Sequence, residues 1–213
     1  MTIKVSGSSL SMSEINAEFA LGNNLNVHRG VGWYLDNVQK GTFPSGAISF
    51  SDFYSKRKTT PVTAGSATVS ATGNYTVPLY ETLTVTVYGG RGGQSGQQGS
   101  GCAGVSASSP GGNGAGSSFG AFASAAGGTG GSGNLVAGSQ PSSVTTFTNP
   151  LNGGTGPATG AVVAVTCGGG GAGGGGGTNT GLVPSGCSTV CAAISTAASG
   201  AAGATGSVVI SWS

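Results

Sequence analysis

Regular alternation of apolar and polar residues is confined to short runs. The clearest is 81–88, where Leu83, Val85 and Val87 share one face and Thr82, Thr84 and Thr86 the other, the period of a half-buried β-strand. Shorter β-branched runs at 66–71, 74–78, 143–148, 161–167 and 207–213 predict further strands. Helical spacing is found near the N-terminus. Residues 14–21 place Ile15, Phe19 and Leu21 on one stripe, with Ser11 and Glu14 at capping-box spacing and Gly22-Asn23-Asn24 as the stop. Ser49 and Asp52 repeat that spacing ahead of a second predicted helix, 52–58, whose basic end suits a helix C-terminus. The two starts echo each other: 10–15 and 48–53 both read aliphatic-Ser-apolar-Ser-acid-apolar.

Between the strands the pattern dissolves into glycine, which makes up 45 of the 213 residues. The run 167–177 is Cys-Gly-Gly-Gly-Gly-Ala-Gly-Gly-Gly-Gly-Gly, and further tracts lie at 89–104, 111–116, 127–133, 153–160 and 200–206. Ordering such a run costs roughly 1–2 kcal/mol per residue, and a helix or a ladder strand of pure glycine returns too little to offset it. One ordered form remains, the extended left-handed helix of the polyproline II type, rising about 3.1 Å per residue without internal hydrogen bonds. Its backbone groups need neighbours, so a bundle is predicted. Apolar runs such as Leu135-Val136, Val162-Val163 and Val208-Val209-Ile210 argue against a disordered linker. The unit strand-then-glycine occurs twice, at 83–93 and 161–177. The expected fold is mainly β, with β-sandwich-like strands combined with a bundle of polyglycine II helices, plus a small N-terminal module with short helices.

Charge divides the chain. Residues 1–58 hold 10 of the 12 charged side chains, 59–64 read as a linker, and 65–213 as a glycine-rich β domain. The first module is too small to be comfortable alone, so it is expected to attach to a partner through its aromatic cluster, with Trp33, Tyr34, Phe53 and Tyr54 as contacts. After Arg91 the chain has no Asp, Glu, Lys, Arg or His. Hydroxyls, amides and thiols do not make an acid–base site, so no catalytic residue is assigned. Gly169-x-Gly171-x-x-Gly174 follows a predicted strand but leads into no helix and no acid, which excludes a dinucleotide site. The net charge of +2 gives no footprint for nucleic acid. Cys102, Cys167, Cys187 and Cys191 read as small buried hydrophobes, and with His28 the sole histidine no metal or cofactor is expected. Arg91 either ties down backbone carbonyls or binds a receptor carboxylate, and the structural role is favoured. Phe119 and Phe122 are core anchors or, if exposed, contact residues. No apolar leader or membrane-length run is present, which predicts a chain that stays in the cytoplasm where it is made until it is released.

Two stretches carry a resemblance. Ser11 to Ile15 and the run Pro-Ser-Gly-Ala-Ile-Ser-Phe-Ser-Asp-Phe-Tyr at 44–54 resemble a segment of bacteriophage tail-fibre and related virion proteins. Tyr75-Thr-Val-Pro78, 82–93, 168–177 and the closing 203–212 resemble the glycine-rich domain of phage proteins, similar in composition to the tip adhesins of T-even-like tail fibres. In those adhesins glycine motifs form a polyglycine II layer and the intervening segments touch the host receptor. This chain is shorter, and its N-terminal module differs. The resemblance implies a non-enzymatic tail-fibre or tail-associated protein, assembled in the host cytoplasm into the virion, with other tail or fibre proteins and a host-surface protein or glycan as partners and no membrane insertion. Receptor contacts are expected in 105–110, 117–126, 134–142 and 178–199, with Phe119, Phe122, Leu135 and Leu182 foremost. The alternative is a purely structural connector or decoration protein.

Overall fold

The computed structural model describes residues 3–101, 104–106, 108–176 and 198–213. In chain order its elements are helix α1 (Met12–Phe19) and strands β1 (Gly32–Tyr34), β2 (Lys40–Thr42), β3 (Gly65–Val69), β4 (Gly73–Thr76), β5 (Thr82–Tyr88), β6 (Gly99–Gly101), β7 (Gly104–Ser106), β8 (Ser117–Phe119), β9 (Ala123–Ala125), β10 (Ser142–Thr148), β11 (Val162–Thr166) and β12 (Ser207–Trp212). The protein is mainly β, and every pairing among the described strands is antiparallel.

Helix α1 starts where the capping box put it. The Ser11 hydroxyl accepts the Glu14 N–H, and the Glu14 carboxylate accepts the Ser11 N–H at 2.9 Å. Ile15 and Phe19 are fully buried. The helix ends earlier than its stripe suggests. Ala20 takes a left-handed conformation and Asn16 captures the Gly22 N–H with its side chain, which leaves Leu21 outside the stripe and exposed. The predicted helix 52–58 is only a 3₁₀ turn, Phe50–Phe53. Asp52 accepts the Ser49 N–H as expected, but the basic residues are then drawn straight. Arg57 exchanges both backbone bonds with Tyr34 at 2.9 Å, and the Lys56 carbonyl accepts from Ile3. The echo has one physical sense: each copy delivers its last apolar residue, Ile15 or Phe53, to a cluster with Ile3, Phe19 and Phe43.

The second core lies between two four-stranded sheets, ordered β10-β5-β12-β3 and β4-β11-β8-β9. Leu83, Val85, Val87, Phe147, Val208 and Ile210 of the first meet Phe119, Ala123, Ala125, Val163 and Val165 of the second. The alternation in β5 is realised in full, with its valines and leucine buried and its threonines turned out. Tyr80 closes the end of this core, its hydroxyl donating to the Pro157 carbonyl at 2.6 Å, and burial pushes its pKa up to about 12. The N-terminal module meets the same end. Lys40 Nζ lies 2.7 Å from Glu81, the Lys40 N–H donates to Asn152 Oδ1, and Asn152 Nδ2 donates to the Val38 carbonyl.

At the opposite end six of these strands continue directly into glycine-rich extended segments. Strands β5, β9 and β11 run out into 89–97, 127–132 and 168–176, whereas 109–116, 136–141 and 198–206 return into β8, β10 and β12. The segments carry no helix or ladder assignment, yet they are hydrogen-bonded to one another with a period of three. Gly90, Gly93 and Gly96 donate to Ala115, Gly112 and Ser109; Arg91, Gln94 and Gln97 to Ala204, Ala201 and Ala198; Gly89, Gly92 and Ser95 to Pro141, Ser139 and Val136. Each amide in 89–97 therefore has a backbone acceptor on a neighbouring segment. Carbonyls of the same stretch accept from Gly128 and Gly131 on one side and from Gly171 and Gly174 on another. Segment 89–97 thus touches all five others, and burial along 168–174 repeats every third residue, at Gly168, Gly171 and Gly174.

Stacked sheets with side chains between them sit about 10 Å apart. Here two three-stranded layers that leave the side-chain core converge until backbone bonds to backbone across the gap, which only glycine permits. A Cβ at Gly93 would fall under 3 Å from Ala172 O, and one at Gly171 equally close to Gly112 O. By contrast Gly169 has nothing within 4 Å of a Cβ, and it shares its exposed phase with Ala172, the one residue with a side chain in 168–176. Gly169→Ala is therefore expected to hold or raise the thermal midpoint, by up to about 1 kcal/mol of stability. Gly171→Ala forces backbone apart and is expected to cost about 1–3 kcal/mol or more. Thermal unfolding followed by circular dichroism distinguishes the two.

Candidate functional site

The order of strands and glycine segments gives the described chain two ends. At one, the N-terminal module sits against Glu81 and Asn152. At the other, outgoing segments turn into returning ones. The connection 98–108 is tied to the connection at 133–135: the Gln98 N–H donates to Asn134 Oδ1 at 3.0 Å and Ser108 Oγ to the Gly133 carbonyl at 2.6 Å. Gly176 and Ala198 also lie at this end, and the connection between them is outside the described residues. Leu135 and Val136 are exposed here at 41% and 46%, and Leu135 is held at φ 54.

The four residues proposed for receptor contact do not form one patch. Leu135 stands at the tip. Phe119 is fully buried between the sheets, so the exposure that contact requires is absent; β8 turns its ring inward between Tyr75 and Phe122. Phe122 is 38% exposed, but it lies in the β8–β9 turn on the side away from the tip, edge-on to Phe147. Leu182 lies outside the described residues, as do Cys102, Cys187 and Cys191. Sequence reading missed β8 and β9 because each is three residues long and set in Ser and Ala; the Phe119/Phe122 spacing was their one signal.

The four proposed attachment residues also part company. Phe53 is fully buried among Phe19, Phe43 and His28, and offers no surface. Trp33 is half-buried, with Gly41 against its ring and Lys56 Nζ 3.5 Å from the ring centroid, a cation–π contact. Tyr34 is fixed by its backbone to Arg57, and the half-buried Tyr54 donates its hydroxyl to the Ser8 carbonyl at 2.7 Å. Trp33, Tyr34 and Tyr54 keep part of their surface open.

Arg91 carries out the structural task assigned to it. Its Nε donates to the Gly138 carbonyl at 3.1 Å, pinning segment 136–141 against 89–97. The residue is nonetheless exposed. It borders a groove of about 320 Å³ lined also by Gly92, Gln94, Ala137, Gly138 and residues 201–204. Cys167 is a half-buried free thiol whose Sγ contacts the Val69 carbonyl, and burial pushes its pKa up. Among the described residues no three His, Cys, Asp or Glu side chains come together, and no helix is long and apolar enough to cross a membrane. No family model, curated protein or solved structure matches this chain.

His28 is the one buried titratable group of the N-terminal module. It is 0% exposed, edge-on to Phe19 and Phe53, and neither ring nitrogen is hydrogen-bonded. Burial holds its pKa below 6.5, with a weaker opposing pull from the Gly22 backbone. The folded module thus binds this proton less readily than the unfolded chain. Stability is full above pH 6.5 and falls below it, by at most about 1.4 kcal/mol per pH unit, until the folded pKa is reached. Glu14, held down to about 2 by Lys4 and the Ser11 bonds, adds a second loss that begins as pH falls past 4.5. Trp33 fluorescence during urea unfolding at pH 7.5 and pH 5.5 is expected to show a lower midpoint at the acid pH. His28→Phe is expected to flatten that difference without affecting the loss below pH 4.5.

Proposed function

We propose that this chain is a non-enzymatic phage tail-fibre or tail-associated protein that binds a host-surface structure. In this reading the six glycine segments are a bundle of polyglycine II helices, rigid and protease-resistant, that projects a binding tip away from the attachment module. The observation that carries it is the three-residue period of inter-segment hydrogen bonds around 89–97, which runs outward from a side-chain core and ends in tied connections. At about 3.1 Å per residue, segment 89–97 alone extends the tip by about 28 Å. Supporting it further are the resemblance of 11–15, 44–54, 75–78, 82–93, 168–177 and 203–212 to phage proteins and the absence of Asp, Glu, Lys, Arg and His after Arg91. A tip without charge recognises through shape, backbone polar groups and small apolar contacts, of which Leu135 and Val136 are the exposed ones among the described residues. Assembly in the host cytoplasm, incorporation in the tail, and docking to neighbouring tail proteins through Trp33, Tyr34 and Tyr54 complete the reading.

Particles incubated with gold-labelled antibody against this protein are expected to carry label at the tail, and purified protein is expected to compete with particles for adsorption to host cells. Replacing Leu135 and Val136 together by Ser should weaken that competition about tenfold with the thermal midpoint unchanged, since exposed side chains contribute little to folding. Adsorption through the uncharged tip is expected to change little between low and high salt. Labelled particles whose adsorption the purified protein never inhibits would favour the purely structural alternative.

A further inference from the structure

Segment 89–97 has described neighbours on five sides, in the order 109–116, 127–132, 136–141, then 198–206, 168–176 and back to 109–116, each adjacent pair joined by backbone bonds except 136–141 with 198–206. The sixth side, between those two, is the groove beside Arg91. Its floor has a definite polarity. Amides of 89–97 donate to 109–115, 136–141 and 198–204, whereas its carbonyls point along the directions between. Those of Arg91 and Gln94 accept from Gly171 and Gly174, those of Gly90 and Gly93 from Gly128 and Gly131, and that of Gly89 is taken by Gln140 Nε2. The Gly92 carbonyl accepts no hydrogen bond among the described residues; it lies between Gly138 and Gly203, whose Cβ atoms would strike it.

Beside that bare acceptor stands the last cation of the chain. The Arg91 Nε bond to Gly138 holds the guanidinium at the edge of the groove, and its terminal nitrogens make no bond to any described residue, so a two-pronged donor is left unused beside the groove. Gln94 is unavailable to a ligand, because its Nε2 donates to the Leu135 carbonyl and its Oε1 accepts the Ala201 N–H. The walls are methyl groups and backbone of Ala137, Ala201, Ala202 and Ala204. No acid lies after Glu81 to compete for the guanidinium from this part of the chain.

We infer that this groove is a second binding site, for one oxyanion carried on a small polyol, as in an acidic sugar: the carboxylate or phosphate on the Arg91 fork, an adjacent hydroxyl donating to the Gly92 carbonyl. The volume fits one such unit and little more. The site is distinct from the apolar tip. It rests on the receptor-binding reading only for its biological source, a host-surface glycan; the binding itself is a property of the isolated chain and is read without cells.

The test is a ¹H–¹⁵N NMR titration of the full chain with galacturonate, glycerol phosphate and neutral methyl galactoside. Saturable shifts in the millimolar range are expected for at least one of the two anions, confined to Arg91, Gly92, Gly138 and 201–204 and weakened by salt, with no shift from the neutral sugar. Preference between the anions assigns carboxylate or phosphate. Arg91→Gln should weaken binding at least tenfold. Because it also removes the Gly138 bond, Ala202→Trp serves as a second variant: it leaves every backbone bond in place and blocks the groove, with the same loss expected. Equal shifts from the neutral sugar, no shift with either anion up to about 50 mM, or undiminished binding by folded Ala202→Trp protein would overturn the inference. Loss of cell adsorption in Leu135/Val136 variants with the titration unchanged would separate the tip from the groove.

Discussion

Two layers of backbone occupy space that elsewhere in the molecule is filled by side chains. In the strands, Leu83, Val85, Phe119 and Ile210 hold the sheets apart and stabilise them by burial. Past Tyr88, Ala125 and Thr166 the same chains continue, side chains shrink to hydrogen, and carbonyl oxygens arrive where Cβ atoms would be. Cohesion passes from the hydrophobic effect to hydrogen bonds between segments that have none within themselves. Each bond contributes only about 1 kcal/mol net, but each buried amide left unpaired would cost about 1–3 kcal/mol, so the pairing has to be nearly complete. Segment 89–97 meets that demand with every amide satisfied.

This constraint explains the composition. Charge is expensive in a region without room for solvated stems, and the long side chains stand at phases left uncovered: Arg91, Gln94 and Gln97 on one strip of the central segment, with Ala172 on an outer one and Ala201 and Ala204 beside the groove; the small Ser95 is buried and bonded to Val136. Side chains free to meet a partner are therefore confined to the places the packing rule spares. These are the tied connections at the tip, the strip carrying Arg91, and the N-terminal module, which keeps 10 of the 12 charges and contacts the sheet end through Lys40, Val38, Glu81 and Asn152.

Much of this was legible, for physical reasons. Predicted strands fell within a residue or two of those found because β-branched alternation is a period-two signal that a shared core enforces. The strand-then-glycine unit was visible twice because 83–93 and 161–177 are pure enough; the tract 200–206 also stood against the predicted strand 207–213, whereas the remaining three junctions, diluted by Ser, Ala and Asn, were not read. The second helix failed because capping boxes specify a start, not a length, and Arg57 found a better backbone partner in Tyr34. Phe53 and Phe119 were indistinguishable from surface aromatics in sequence, since which face of a short element is covered depends on tertiary partners. Ala172 was the overlooked clue: one side chain at one phase of a glycine run marks the face that no neighbour covers.

The most direct measurement is residue-resolved amide hydrogen exchange across the glycine tracts. The pairing described here protects the amides of 89–97 without a gap, whereas in 168–176 it protects Gly171 and Gly174, which donate to Arg91 and Gln94, and leaves Gly169, Gly170, Ala172 and Gly173 to exchange quickly. Slow exchange throughout the central segment together with a three-residue alternation in the outer one is the predicted result. Uniformly rapid exchange through 89–97, or protection in 168–176 without that period, would contradict it.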